Sequence, residues 1–204
     1  GAVSLGQTIV SHDMVVQTNG GNVSQTGPLT ITGDTSISTS SSTPAAPNGT
    51  ITLDYVDYDN TQTPAALISN SFAGTLGLVG NSTAVATSAN LRLASVTNTG
   101  PMALIAPAGS IDLGSAFITG GDLTLESRDN LSLGGARISG DLHMTSNSGH
   151  VSFGTAAVSG DLTANTSGGY VDLGTANVGG NLNVQTQGGD IIQSANSGAA
   201  LSVT

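Results

Sequence analysis

One periodicity constrains this chain more tightly than anything else in it. From Ile111, equivalent apolar residues follow at Leu131, Val151, Val171 and Ile191, 20 residues apart each time. Two places further on, Leu113, Leu133, Phe153 and Leu173 keep that step, and Gln193 breaks it. Further columns run through Ala116, Ala136, Ala156 and Ala176, through Ile118, Ile138, Val158 and Val178, and through Leu123, Leu142, Leu162, Leu182 and Leu201. The step from Leu123 to Leu142 is 19, which places a lost residue at the "TGGD" turn. Only a structure that returns the chain to the same place every 20 residues has a use for such columns.

Each period reads as short alternating words separated by Gly, as in "VSF", "AAV" and "DLTA" over 151–164. Alternation puts one set of side chains on one face of a strand, and Gly between words permits sharp corners. The reading is all-β: a right-handed parallel β-helix, or solenoid, with about 20 residues and three short strands per turn. A sandwich needs longer strands, and an α-solenoid needs a 3.6-residue period that is absent. The chain reads as one β-helix segment over 1–204, with an irregular loop and insertion region at 38–68 that holds "STSSSTPAAPNGT" and "DYVDYDNTQTPAAL".

A larger repeat overlies the small one. Val3, Leu5, Gly6, Val10, Val16, Gln17, Thr18, Gly20, Gly21 and Gln25 recur 168 places later, and Leu29 and Thr32 recur at Leu201 and Thr204 after a four-residue slip. The expectation is a tandem array of about 170-residue units, from which this segment is an internal excerpt. Its terminal turns are expected to associate end to end with other copies.

Composition narrows the function. The formal charge is −10, with three arginines and no lysine, so nothing neutralises a run of phosphates or an anionic lipid surface. No apolar run approaches the ~20 residues of a membrane-spanning helix, so neither nucleic-acid binding nor membrane insertion is expected. Cysteine is absent, which excludes disulfides and thiolate metal sites.

Several clusters have the chemistry of a site. Asp122, Asp141 and Asp161, continued by Asn181, open one strand per turn. Stacked about 5 Å apart, they match the spacing of retaining glycosidase carboxylates. The competing reading is structural: Asp or Asn after Gly accepts hydrogen bonds from corner amides once per turn. Periodicity favours the second, and no Ser-His-Asp, P-loop or H-E-x-x-H word occurs, so no catalytic residue is assigned and the chain is read as a non-enzyme. "DYVDYDN" offers Asp54, Asp57, Asp59 and Asn60 as oxygen ligands for calcium, although without EF-hand spacing; no other cofactor is expected. Tyr55, Asp57, Tyr58 and Asp59 make the same loop the candidate contact for a ligand, polysaccharide or cell-surface receptor. His143 and His150 fall on different faces, which argues against a shared zinc. The outward column Ser110, Asn130, His150, Tyr170 and Asp190 instead predicts ring stacking of His150 on Tyr170. The column Thr124, His143, Thr163 and Asn183 changes identity at every turn, against an ice-binding face.

The wording of "GGNLNVQTQGGDIIQ", "GGNVSQTGPLTITGDTSI" and "NSFAGTLGLVGNS" resembles the repeats of filamentous-haemagglutinin-like adhesins, large bacterial exoproteins of the two-partner secretion type. The resemblance implies an extracellular or cell-surface location and export through an outer-membrane secretion partner. It implies a structural, adhesive stalk that attaches cells to surfaces, to one another in biofilms, or to matrix. The alternative is a β-helical carbohydrate-binding or polysaccharide-degrading domain.

Overall fold

The structure is a computed structural model describing residues 1–43, 47–59, 66–114, 117–194 and 202–203. It is all-β, a parallel β-solenoid of about nine turns with about 20 residues per turn. The first face is one unbroken ladder of nine parallel strands, from Val3–Leu5 through Val23–Gln25 and Ile51–Leu53 to Leu162–Thr166 and Leu182–Thr186. A second face begins as Thr8–Val10, Leu29–Ile31 and Ser71–Phe72, and a third as Met14–Gln17, Thr35–Ser38 and Leu76–Gly80. Three separate strands per turn is therefore the rule at the N-terminal end. From Leu91–Asn98 onward the second and third words join in several turns into one eight-residue strand, as in Leu131–Ile138 and Val151–Val158.

Most of the predicted columns are ladder rungs, except that Phe117 and Thr119 pair with Ala136 and Ile138, where Ala116 and Ile118 were expected. Leu91, Ile111, Leu131, Val151, Val171 and Ile191 pair in succession, as do Leu123, Leu142, Leu162 and Leu182. Nearly all of these side chains are buried until the last turn, where Ile191 is exposed. Phe153 points inward between the Leu133 and Leu173 positions of its column. Each added turn thus covers the apolar residues of the one below, which is how a chain with three Phe and no Trp builds a continuous core.

Two register expectations are corrected. Phe117 pairs with Ala136 and Thr119 with Ile138, so the offset of 19 is already present at the second word. The extra residue therefore lies between Leu113 and Phe117, and not at the "TGGD" turn; Ser115 and Ala116 lie outside the described residues. Leu201 is also outside them, but its neighbours Ser202–Val203 pair with Asn177–Val178. That segment sits on the third-face rungs and does not extend the Leu182 column.

The larger repeat shows something its wording does not. Val3–Leu5 lies on the first face, whereas its counterpart Val171–Asp172 occupies the next position around the solenoid. Met14–Gln17 is on the third face and its counterpart Leu182–Thr186 on the first; Thr30 and Ile31 are on the second and their counterparts Ser202 and Val203 on the third. Local structure travels with the words: Thr18 donates to the Gly21 carbonyl at 2.5 Å, and Thr186 to the Gly189 carbonyl at 2.6 Å. Seven first-face steps separate Val3–Leu5 from Leu162–Thr166, and one more face reaches Val171. The 168-residue period therefore winds seven and one-third turns.

The insertion at 54–67 is an antiparallel hairpin, Val56–Asp59 against Ala66–Ser69, leaving the parallel wall between Ile51–Leu53 and Ser71–Phe72. Residues 39–50 form no strand where described. No helix among the described residues is long and apolar enough to cross a membrane.

Candidate functional site

The corner carboxylates are engaged by backbone. Asp122 Oδ1 accepts the Asp141 N–H at 2.9 Å, Asp141 Oδ1 accepts the Asp161 N–H at 2.8 Å, and Asp161 Oδ1 accepts the Asn181 N–H at 2.7 Å. Each acid thus satisfies the corner amide of the turn above, which has no ladder partner of its own. The preceding glycine belongs to the same device, because a Cβ on Gly140 or Gly160 would fall 2.1 Å from the carboxylate oxygen below. "Gly-Asp" is one structural word. The earlier acids do likewise: Asp13 accepts from Asp34 N–H at 2.9 Å, and Asp34 from the N–H and hydroxyl of Thr75 at 2.7 and 3.0 Å. These Thr75 bonds, the backbone one first, hold the Asp34 carboxyl below its ordinary value despite the opposing effect of desolvation.

Two expectations follow. Because an amide oxygen accepts as a carboxylate does, Asp141→Asn should change unfolding free energy by under about 0.5 kcal/mol, whereas Asp141→Ala should cost about 1 kcal/mol in a urea titration. Asp34 has a depressed folded pKa, so its contribution is complete above the unfolded value near 3.9 and is lost as pH falls through the folded value. Melting of Asp34→Asn should accordingly be less acid-sensitive below about pH 4 than that of the parent.

A second corner carries a ladder of mixed chemistry. Asn90 Oδ1 accepts the Ser110 N–H at 2.9 Å, Asn130 Oδ1 accepts the His150 N–H at 2.9 Å, and His150 Nδ1 accepts the Tyr170 N–H at 3.2 Å. The last bond fixes the imidazole as an acceptor at Nδ1. The His150 and Tyr170 rings stack as predicted, with centroids 4.0 Å apart and planes 17° from parallel. Both residues are exposed. His143 stands elsewhere, its Nε2 3.2 Å from the Thr145 hydroxyl.

The periodic corners, the stacked ladders and the 20-residue turn extend almost from one end of the chain to the other, and so does its match to a family model: Toastrack DUF4097, over residues 3–202. The chain belongs to the Toastrack DUF4097 family. No curated protein and no solved structure matches it.

In this Toastrack chain the acidic loop is the projecting hairpin. Asp54 and Asp57 are exposed, and the Tyr55 hydroxyl donates to Asp57 Oδ2 at 3.3 Å. Desolvation first, then the charge and hydrogen bond of Asp57, raise the Tyr55 hydroxyl above its ordinary value. Tyr58 and Asp59 lie on the strand Val56–Asp59 with side chains outside the described set, and Asn60 lies wholly outside it. Among the described residues no three His, Asp or Glu side chains form a metal-binding group. Millimolar calcium should leave the melting temperature unchanged; a rise of several degrees abolished by Asp57→Ala and Asp59→Ala would establish a calcium site.

Where the hairpin rejoins the wall, Asn70 is fully buried. Its Oδ1 accepts from Leu29 N–H at 3.0 Å and Gln25 Nε2 at 2.8 Å, and its Nδ2 donates to the carbonyls of Leu53 and Ala86 at 2.8 and 3.0 Å. Beside it the second-face ladder stops: Ser71–Phe72 pairs with Leu29–Ile31 below, but not with Leu91–Leu93 above. A cleft of about 360 Å³ fills this break, lined by Phe72, Gly74, Asn90 and Arg92 among others. Sequence reading missed both features, and only the unusual "SNSF" re-entry marks them.

Proposed function

We propose that this chain is a non-enzymatic stalk segment of a fibrous adhesin, secreted or displayed at a bacterial cell surface by the two-partner route, in which stacked turns carry load and the projecting hairpin makes contact. The observation that carries this reading is the unbroken nine-strand ladder of the first face, an axial rod of roughly 38 Å at the usual strand spacing. Attachment to cells, surfaces or matrix then depends on length and stiffness more than on a pocket. The alternative reading is a β-helical carbohydrate-binding or polysaccharide-degrading domain; what weighs against its catalytic form is that Oδ1 of each of Asp122, Asp141 and Asp161 holds a corner amide.

The test is to coat beads with the chain, or with a version whose hairpin is shortened to a tight turn, and to measure attachment to cells and matrix while assaying reducing-sugar and unsaturated-product release. Attachment without turnover, lost with the hairpin, supports the adhesive stalk. Catalytic turnover of any glycan overturns it.

A further inference from the structure

We propose that the break in the second-face ladder is a peptide-binding cleft: it takes the extended C-terminal end of a partner protein, paired as a missing rung, with the terminal carboxylate on Arg92. It goes beyond the stalk reading, since a stalk needs no such cleft.

The break has its cause in the path of the chain. Below it the chain runs straight through Ser71–Phe72 and bends at 73–75, whereas above it the chain bends first, at 88–90, and then runs straight from Leu91. The two turns therefore part between the Asn70–Thr87 bridge and the Leu76–Leu93 pair, with five residues on each side. Each keeps close to its other neighbour instead. A Cβ on Gly74 would fall 2.4 Å from the Gly33 carbonyl oxygen below, and one on Gly109 would fall 2.6 Å from the Ala89 carbonyl carbon beneath it. The cleft of about 360 Å³ lies between.

Backbone groups open into it from both sides. Ala73 N–H donates down to the Ile31 carbonyl at 2.9 Å, so by the alternation of a parallel ladder the N–H and carbonyl of Phe72 point up, toward the break. Leu91 N–H donates up to the Ser110 carbonyl at 2.8 Å, and the Leu93 carbonyl accepts from Gly114 N–H at 3.3 Å, so the N–H and carbonyl of Arg92 point down toward it. Among the described residues neither has a hydrogen-bond partner across the break. Asn70 serves Leu29, Leu53 and Ala86 at its own end, and neither Phe72 nor Arg92. Unpaired edge groups of this kind are a template for one more strand, which only another backbone matches donor for acceptor.

Charge and shape then select which part of a peptide enters. Arg92 is exposed, lines the cleft, and makes no ion pair or side-chain hydrogen bond among the described residues, including with Asp112 in the adjoining rung. It is one of three cations in a chain of net charge −10. A carboxylate pairs with a guanidinium through two parallel hydrogen bonds, so an acid is the group that suits it. The cleft is tied shut at both ends by the Asn70–Thr87 bridge and the Leu76–Leu93 pair. A strand that ran through would collide with the wall, whereas the last few residues of a chain, at about 3.3 Å each, fit between the ties. Running parallel to its neighbours, such an end places its carboxylate beside Arg92, next to the Leu76–Leu93 tie. Ala73, Gly74 and Ala89 present little side chain to obstruct it.

The experiment titrates the full chain with a library of acetylated tetrapeptides of Ala, Ser, Thr and Val that carry free C-terminal carboxylates, with the same library amidated at the C-terminus, with the same library N-methylated along the backbone, and with an amidated library that has Asp inside the chain. Calorimetry reads binding, and amide hydrogen exchange reads where it occurs. The expected result is binding of the free-acid library with exchange at the Phe72 and Arg92 amides slowed about tenfold or more, and exchange in the hairpin unchanged. Amidation, N-methylation and Arg92→Gln should each weaken binding about tenfold, and Arg92→Lys should recover part of the loss. Thermal melting of each variant separates lost binding from lost fold. No binding of the free-acid library, equal binding of the amidated or internal-Asp library, protection elsewhere than at the break, or binding indifferent to Arg92→Gln in a folded variant overturns the proposal. None of those results touches the stalk reading, which stands or falls on attachment and turnover.

Discussion

Replacing Asn70 with Ala should destabilise the chain by about 3–6 kcal/mol, far more than any outward substitution. The side chain has no exposure, and its removal takes the acceptor from the Leu29 N–H and a donor from the Leu53 and Ala86 carbonyls in a site closed to water. Each buried group left without a partner costs about 1–3 kcal/mol, and an alanine leaves a void as well. The amide stands in for a strand: where the hairpin departs and the second-face ladder stops, one side chain supplies the donors and acceptor that neighbouring backbone would have supplied. Asn70→Asp should be comparably harmful, because it keeps the acceptor for Leu29 but loses both donors and buries a charge. Urea titrations of both variants, with Ser152→Ala as an outer-face reference expected to cost under about 0.5 kcal/mol, check this. A loss below about 1 kcal/mol for Asn70→Ala would mean that water or Gln25 takes over its bonds.

Asn70 also marks the boundary of what the sequence makes legible. Columns such as Ile111 to Ile191 could be read because a stacked core repeats its demand for apolar volume every turn, and repetition is visible in letters. The inward Phe153, the Gly-Asp corners and the His150–Tyr170 stack follow from the same count, since rungs fix which residues meet. Interior hydroxyls belong to that class but were overlooked. Ser127, Ser146 and Thr166 form a buried column, each donating to a corner carbonyl at 2.6–2.7 Å, and "ES", "TS" and "NT" at steps of 19 and 20 residues are its signal. A feature that occurs once has no such signature. Asn70 looks like any polar residue beside a loop, and the extra residue before Phe117 could be assigned to either of two bends until pairing placed it. The hairpin was recognisable as an insertion because its composition broke the pattern.

The face shift between the matching ends leads to a specific geometry for longer arrays. If a polypeptide of residues 1–168 followed by 1–204 folds as one solenoid, the second copy of the word at Val3 enters where Val171 now sits, one face further round than in the first copy. Every feature of the second copy is then carried about a third of a turn around the axis, including its hairpin. Over seven and one-third turns the two hairpins should be displaced by about 35 Å along the rod and should point about 120° apart. An array built this way displays its hairpins on all three faces in succession, so a fibre lying on a surface in any orientation presents one of them. Spin labels at Asp57 of each copy, with distances from pulsed electron resonance, read the angle. Small-angle scattering should show the rod length roughly doubled at unchanged cross-section. Hairpins aligned on one face would mean that the register resets between copies. Two bodies joined by a flexible hinge would mean that the larger repeat is a duplication of independent units, and the continuous rod would be lost with it.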